Sequence, residues 1–154
     1  PLYGNGGVGI YRSRIEENRI NGLDNNLIIL DNPIMAQKFI PEIKDGDRRI
    51  ILIDGEYVGS VARMPMKDSI KANFHAGGTA KKTHLIRRDK EICAALSNTL
   101  KENQLFFVGI DIIGDYLTEI NVTSPTGMKQ INELNNTNLE KIFWDKLETK
   151  YNIV

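Results

Sequence analysis

The stretch from Leu105 to Met128, LFFVGIDIIGDYLTEINVTSPTGM, decides the fold of this chain. It begins with an apolar run from Leu105 to Ile113, which is typical of a buried strand. The Gly114-Asp115 pair that follows predicts a tight turn, and the chain then returns through Tyr116 to Val122 with strand-like composition. The stretch therefore predicts an antiparallel hairpin.

Three of the oxygen-bearing side chains inside this predicted hairpin are candidate metal ligands. Asp111 is flanked by Ile110 and Ile112, and Glu119 and Asn121 are two residues apart and so share one face of their strand. Two carboxylates and an amide oxygen suit Mg²⁺, although the same alternation also describes a half-solvated strand. Asp111 favours a metal site, because a carboxylate in such an apolar run needs a cation or an arginine partner.

The register of the hairpin decides whether these side chains can meet. A two-residue turn at Gly114-Asp115 pairs Asp111 with Thr118 and places Glu119 on the opposite face. The three side chains converge only if the connection has an odd number of residues or a bulge intervenes. We therefore predict that the tight turn is not adopted.

Composition limits the classes of protein to which the chain can belong. Its 154 residues, 41% of them hydrophobic, can bury one sizeable core. Twenty basic residues balance twenty acidic ones, so no charge excess favours a nucleic acid or a membrane as partner. The single Cys93 cannot form an internal disulfide and is expected to be a buried, inert thiol. These features predict a cytoplasmic protein.

Glycines dominate the first stretch, Pro1 to Tyr11, which reads PLYGNGGVGIY. Its glycines formally satisfy G-x-G-x-x-G, but Val8 to Tyr11 resembles a strand rather than the helix that a dinucleotide-binding fold requires. We predict a β-turn-β flap whose backbone N–H groups can cover phosphates. A plain glycine hairpin is the alternative.

A second predicted hairpin runs from Arg49 to Asp54, turns at Gly55-Glu56 and returns from Tyr57 to Arg63. Two arginines, Arg49 and Arg63, stand out in it. Both lie at its open end, where one anionic ligand could contact both of them. Solvated surface arginines are the alternative, and the neighbouring Arg48 is expected to point to the other face. A separate strand is predicted from Ile34 to Ile40.

The remaining chain divides into one long loop and three helices. Pro65 to Lys82 has no sustained periodicity and is too long for a passive connector, so we predict a lid with Gly77 and Gly78 as its hinge or as a close-approach point for ligand. Helices are predicted at the ranges 87–103, 128–134 and 139–151, the last capped by Asn138. The helix N-terminus after Ser124–Gly127 offers N–H groups to an anion.

Three blocks in this order, QKFIPEIKDGDRRIILIDGE, NFHAGGTA and VGIDIIGDYLTEINVTSPTG, resemble the C-terminal half of the prokaryotic glutathione synthetases, which are ATP-grasp ligases. The similarity extends from Pro1 to about Leu134. It implies an α+β fold of ATP-grasp type, with an antiparallel or mixed sheet and flanking helices. It also implies that residues 1–154 are the C-terminal portion of an ATP-grasp domain, lacking the N-terminal substrate domain and a phosphate-binding lysine just before Pro1.

The resemblance implies an ATP-dependent ligase that joins glycine to γ-glutamylcysteine through an acyl-phosphate. Mg²⁺ would be the cofactor, with Mn²⁺ as the alternative, and the full-length protein would be a homo-oligomer. Another ATP-grasp ligase and a non-catalytic nucleotide-binding module are the two competing interpretations. The isolated chain is expected to have negligible ligase activity.

The resemblance also implies roles for individual residues. The catalytic residues would be Arg49, Arg63 and Asn73. The residues that bind ATP would be Gly4, Asn5, Gly6, Gly7, Gln37, Lys38, Phe39, Ile40 and Asp47. Substrate would contact Ser124, Thr126, Gly127 and Lys129, and the metal would be held by Asp111, Glu119 and Asn121. Lys129 stands where relatives often carry arginine, so a bidentate carboxylate contact is not implied there.

Overall fold

A computed structural model describes residues 7–10, 12, 14–16, 19–21, 33–67 and 69–153. Two short strands, β1 (Arg14–Glu16) and β2 (Arg19–Asn21), form an antiparallel pair. The main sheet contains β3 (Asp47–Ile53), β4 (Glu56–Met64), β5 (Thr79–Lys82), β6 (Phe107–Ile113) and β7 (Tyr116–Asn121). Its order is β5-β4-β3-β6-β7, and all its neighbours are antiparallel.

Three helices complete the fold: α1 (Arg87–Glu102), α2 (Met128–Asn135) and α3 (Leu139–Tyr151). Helix α1 packs on one face of the sheet, where Leu100 lies in a core with Ile50 and Leu52. Helices α2 and α3 pack on the opposite face around Ile51 and Ile53. Because neighbouring residues of a strand point to opposite faces, the apolar run of β3 supplies both cores. The predicted α+β class is confirmed, and so are the three predicted helices to within a residue at each end.

Both predicted hairpins are present. The β3–β4 turn lies at Asp54-Gly55, one residue earlier than predicted, because Asp54 (φ 52°) and Gly55 (φ 72°) adopt the positive φ angles of a type I′ turn. None of the helices in the described part of the chain is long and apolar enough to cross a membrane.

Three local predictions are wrong. Residues 34–40 form no strand: they run without ladder pairing into a 3₁₀ helix at Pro41–Asp45, and Ile34 and Met35 are exposed. Residues 7–9 form a turn and Ile10 belongs to no strand, so the strand predicted from Val8 is absent there. Conversely, the last four residues of the predicted patternless loop are strand β5. All four are exposed, so this edge strand has no apolar alternation to reveal it.

Candidate active site

A buried cluster of four charged side chains lies where β3, β4 and β6 meet. Asp47 pairs across the sheet with Arg63, and Arg49 pairs with Asp111. Asp47 and Arg49 alternate along β3 with residues that face the α1 core. Their side chains, and those of their cross-strand partners Arg63 and Asp111, therefore lie on the opposite face of the sheet, at the end of the core under α2 and α3. All four residues are almost fully buried, with exposed fractions of 3 to 6%.

Asp111 joins the two arginines of this cluster. Arg49 donates to both carboxylate oxygens of Asp111, with Nη2 at 2.8 Å from Oδ2. Arg63 donates to both oxygens of Asp47, at 2.7 and 2.5 Å, and its Nη2 also lies 2.7 Å from Oδ2 of Asp111. Burial lowers the pKa of Arg63, but the bonds to Asp47 and Asp111 raise it by more, so the guanidinium stays charged. The arginine partner that the apolar run of Asp111 required is therefore present twice.

The β6–β7 hairpin brings Glu119 to the same face as Asp111. The Gly114-Asp115 turn keeps its two residues, so the prediction that it would be replaced is wrong. Instead Thr118 is an extra residue on β7, and beyond this bulge Glu119 stands directly opposite Asp111. The bulge, which was one of the two predicted routes to convergence, supplies the change of face.

Glu119 and Asn121 complete the polar face of this hairpin. Glu119 is exposed at the edge of the sheet, yet loss of solvation and the negative charge of Asp111 raise the pKa of its carboxyl, with the two arginines offsetting part of this rise. Asn121 stands opposite Gly109, and its Oδ1 accepts long hydrogen bonds from the backbone N–H groups of Thr123 and Ser124, at 3.3 and 3.4 Å.

These donors fit a hard divalent cation in type and charge. The Asp111 carboxylate receives three arginine contacts, which leaves roughly one of its four lone-pair positions for another cation. Glu119 forms no salt bridge among the described residues, and the repulsion from Asp111 favours a cation between the two. No group of three or more His, Cys, Asp or Glu suited to a metal occurs in the described ranges, so the amide oxygen of Asn121 would have to be the third protein ligand.

Two of the four residues predicted to bind substrate lie beside the cluster. Arg49 Nη1 donates to the carbonyl oxygen of Thr126 at 3.2 Å, which ties the loop before α2 to the cluster. Gly127 is buried with φ 115° and begins α2 without a capping side chain. Ser124 is exposed, and Lys129 is 81% exposed beside Glu133. The structure therefore brings Thr126 and Gly127 to the cluster and leaves Lys129 on the helix surface.

The predicted lid residue Asn73 meets the glycine turn. Its Oδ1 caps the 3₁₀ helix Phe74–Ala76 by accepting from the N–H of Ala76 at 2.7 Å. Gly7 has φ +73°, and a Cβ there would lie 2.9 Å from Nδ2 of Asn73. The Arg63 guanidinium lies 5.9 Å from the ring centroid of Phe74, so the same loop also touches the charged cluster.

Gly78 approaches the chain itself closely, whereas the close approach predicted for it was to a ligand. A Cβ on Gly78 would lie 1.9 Å from the carbonyl oxygen of Ala72, so only glycine fits against that backbone. Among the residues predicted to bind the nucleotide, Gln37 and Lys38 are exposed and Phe39 packs under the guanidinium of Arg12, 4.0 Å from its ring centroid. Gly4, Asn5 and Gly6 lie outside the described residues.

Two features were missed in the sequence. Asp47 was assigned to the nucleotide, but it is the main anionic partner of Arg63; the Asp-x-Arg spacing in β3 could have suggested a shared face. Arg48 does point to the other face, as predicted, but there it binds the fully buried Asp89 of α1 through Nε and Nη2. No pattern in the sequence connects Arg48 to Asp89.

The family model of the prokaryotic glutathione synthetase ATP-grasp domain matches residues 1–136 of this sequence. The chain belongs to this family. Glutathione synthetases of Agrobacterium fabrum and Rhodopseudomonas palustris are 41% and 44% identical to it over 151 residues, which is 97% of this chain. The glutathione synthetase of Prochlorococcus marinus is 43% identical over 148 residues, which is 96% of the chain.

The family resemblance of the sequence blocks is thereby confirmed, and the α+β fold is that of the ATP-grasp domain family. The chain spans about half the length of these relatives, 47% of the Agrobacterium fabrum protein and 48% of each of the other two.

Proposed function

We propose that this chain is the C-terminal portion of the ATP-grasp domain of an ADP-forming ligase that joins glycine to γ-glutamylcysteine. Family membership and the relatives named glutathione synthetase support the reaction. The structural observation that carries it is the bridged pair of arginines, Arg49–Asp111–Arg63, beside the outward-facing Glu119. A cytoplasmic location and a homo-oligomeric full-length protein are part of the same proposal.

The proposed reaction asks little covalent chemistry of the protein. The γ-phosphoryl group of ATP passes to the carboxylate of γ-glutamylcysteine, and the amine of glycine then attacks the acyl carbon and expels phosphate. Both steps depend on holding anionic groups together in fixed positions. Arg49 and Arg63 are held rigidly by carboxylates and by burial, so they are preorganised donors rather than mobile surface charges.

The charge balance of the cluster limits what the arginines can do alone. Two guanidinium groups are matched by Asp47 and Asp111, so the four groups offer phosphate oxygens no net positive charge. With Glu119 added, the face is negative, and a divalent cation held by Asp111, Glu119 and Asn121 would neutralise phosphate charge. Mg²⁺ is the proposed cofactor, with Mn²⁺ as a substitute.

Substrate and nucleotide would meet at this face of the sheet. Thr126 and Gly127 lie against Arg49, so the loop before α2 and its uncapped N–H groups are the proposed binding site for the substrate carboxylate, with Ser124 and Lys129 at its border. The glycine turn at Gly7 meets Asn73, so the turn and the residues 65–78 would close over the phosphates together. Nucleotide binding by the segment 37–40 remains a prediction.

A chimaera tests this function directly. In it, the present chain replaces the matching segment of the Agrobacterium fabrum relative, to which it is 41% identical. We expect ADP release that requires both γ-glutamylcysteine and glycine, and we expect the 154-residue chain alone to release negligible ADP. A folded chimaera that hydrolyses no ATP, beside an active parent, would support a non-catalytic nucleotide-binding module instead. ADP release driven by other carboxylates and amines would indicate a different ATP-grasp ligase.

A further inference from the structure

The β6–β7 hairpin contains one residue more on β7 than on β6 between two fixed pairs. Ile113 pairs with Tyr116 at the turn, and Gly109 pairs with Asn121 at the other end. Thr118 is the extra residue. Since a strand changes face at every residue, this single extra residue determines which face carries Glu119 and Asn121.

Both ends of the hairpin are held, so the extra residue must be accommodated between them. At the turn, Nη2 of Arg48 donates to the carbonyl oxygen of Gly114 at 2.6 Å. At the other end, Pro125 packs so closely on Gly109 that a Cβ there would lie 2.6 Å from the Cβ of Pro125. The hairpin therefore has no free end through which to release the extra residue.

Burial of apolar side chains does not hold the bulged register. Ile120, which follows Glu119 on β7, is 42% exposed, so moving its side chain to the other face would lose little burial of apolar surface. The bulge also sets Glu119 directly opposite Asp111, and like charges in that position destabilise a sheet. A bulge placed after Glu119 would set Thr118 opposite Asp111 and avoid this repulsion, so a local interaction favours the bulge at Thr118.

The hydroxyl of Thr118 makes such an interaction. Its Oγ1 donates to the backbone carbonyl oxygen of Asp111 at 3.1 Å, from a half-buried position. We propose that Thr118 is a positioning residue: its hydroxyl stabilises the bulge at this place and so keeps Glu119 on the face of Asp111. The metal-binding consequence rests on the proposed function, whereas the role in strand register does not.

Three changes at Thr118 separate this role from ordinary packing. Thr118→Val keeps the shape and favours strands but removes the donor, so we expect the bulge to move past Glu119 and to leave Glu119 on the opposite face. Thr118→Ser keeps the donor and should keep the register. Deletion of Thr118 removes the extra residue itself, so Asp111 should still face Glu119, now without a bulge. Valine is thus expected to be more damaging than deletion, whereas a packing role predicts the reverse order.

Two measurements on the 154-residue chain test the proposal. Titration with MnCl₂, followed by water proton relaxation, gives the affinity for Mn²⁺, and backbone NOEs between Asp111 and Glu119 report the register. We expect Thr118→Val to weaken Mn²⁺ binding about tenfold or more and to lose these NOEs. The serine variant and the deletion should retain both, as should Thr79→Val, a matched change on the exposed strand β5.

The possible failures are distinguishable. If Thr118→Val keeps the Asp111–Glu119 NOEs, or if the deletion loses them, Thr118 does not set the register. If Glu119→Gln binds Mn²⁺ as tightly as the unaltered chain, the metal site of the proposed function is wrong, and the NOEs still decide the role of Thr118. If the valine variant fails to fold, the variant with Thr118 deleted provides the test. Retained Asp111–Glu119 NOEs in it support the proposal, and their loss overturns it.

Discussion

Asp111 is the residue on which the buried cluster depends, because one carboxylate contacts two guanidinium groups. Its side chain is 5% exposed, and those of Arg49 and Arg63 are each 4% exposed. Water therefore cannot replace a lost partner, and the cost of breaking such a network is the cost of leaving a charge buried and unpaired.

We expect Asp111→Asn to lower the free energy of unfolding by about 3–5 kcal/mol, because it leaves a buried guanidinium without its anion. Urea denaturation of the 154-residue chain measures this loss. Asp145→Asn on α3 is the matched control, since its partner Lys141 is 69% exposed and the pair contributes little. Equal losses in the two variants would show that the cluster is solvated in solution.

Glu119 is expected to affect stability in opposite directions with and without a cation. Loss of solvation and the charge of Asp111 raise its pKa above the ordinary 4.5, so the folded state favours the protonated form. The stability of the unaltered chain relative to Glu119→Gln is therefore greatest below that ordinary value and falls as pH rises through the raised pKa. At neutral pH in EDTA, the Gln variant should melt at the same temperature as the unaltered chain or higher.

Added Mg²⁺ should reverse this order by stabilising only the chain that keeps the Glu119 carboxylate. Melting curves in EDTA and in Mg²⁺ provide the comparison, with Glu148→Gln on α3 as control. In the chimaera, Glu119→Gln should lower kcat by about 10² or more. Identical responses to Mg²⁺ in the two Gln variants would show that Glu119 is not a metal ligand.

The loop before β5 is the element whose behaviour should depend most on the nucleotide. Thr79–Lys82 already pairs with β4, so closure can involve only the preceding residues, up to the hinge candidates Gly77 and Gly78. Asn73, in the same part of the loop, lies beside the glycine turn.

We expect a non-hydrolysable ATP analogue with Mg²⁺ to slow amide hydrogen exchange in residues 65–78 of the chimaera, because closure buries their backbone over the phosphates. Exchange within β5 and within α1 should not change, and these peptides are the internal controls. Slower exchange spread evenly over α1 and the loop would indicate general stabilisation by the ligand. Unchanged exchange in the loop would show that it is an ordinary connection and not a lid.

At this scale the sequence predicted elements well where periodicity was strong. The helices and both hairpins follow from apolar spacing and from glycine turns, although the Gly55-Glu56 turn was predicted one residue too late, and Asn138 does cap α3 by accepting from the N–H of Lys141 at 2.9 Å. The predicted strand at residues 34–40 fails because β propensity alone supplies no pairing partner. Strand β5 was missed for the opposite reason, since pairing alone holds an exposed strand together.

The site could be predicted only where neighbours along the chain imply a shared face. Glu119 with Asn121 is such a case, and the need of Asp111 for a cationic partner followed from its apolar flanks. The pairing of Arg63 with both Asp47 and Asp111 depends on three strands meeting, and sequence spacing cannot specify that. The contact between Gly7 and Asn73 is likewise a product of tertiary folding.

Across the whole molecule, β3 joins the two cores, since Ile50 and Leu52 face α1 while Ile51 and Ile53 face α2 and α3. All four of these side chains are fully buried. A substitution that destabilises one core should therefore also lower the stability of the other, because both cores share one strand.

We expect Leu100→Ala and Leu139→Ala, in opposite cores, each to cost about 2–5 kcal/mol. Each should shift the unfolding midpoint reported by the fluorescence of Trp144 on α3 and the midpoint reported by far-UV circular dichroism equally. Ile153→Ala is the control, because Ile153 is 59% exposed. A Leu100→Ala variant that unfolds α1 while Trp144 keeps its native signal would show that the cores fold independently.

Strand β3 also has a consequence for how the chain folds. Arg48 and Arg49 are adjacent and identical in chemistry, and the four residues after them are all apolar, so a slip of one residue would move Arg48 to the face of Asp111 and Arg49 to the face of Asp89 while both faces kept apolar side chains. The Asp54-Gly55 turn, with its positive φ angles, opposes this slip, and so does the Asp47–Arg63 pair, which the slip would break. A variant with a loosened turn should accordingly refold through a long-lived intermediate of shifted register, in which Arg48 rather than Arg49 shares the face of Asp111.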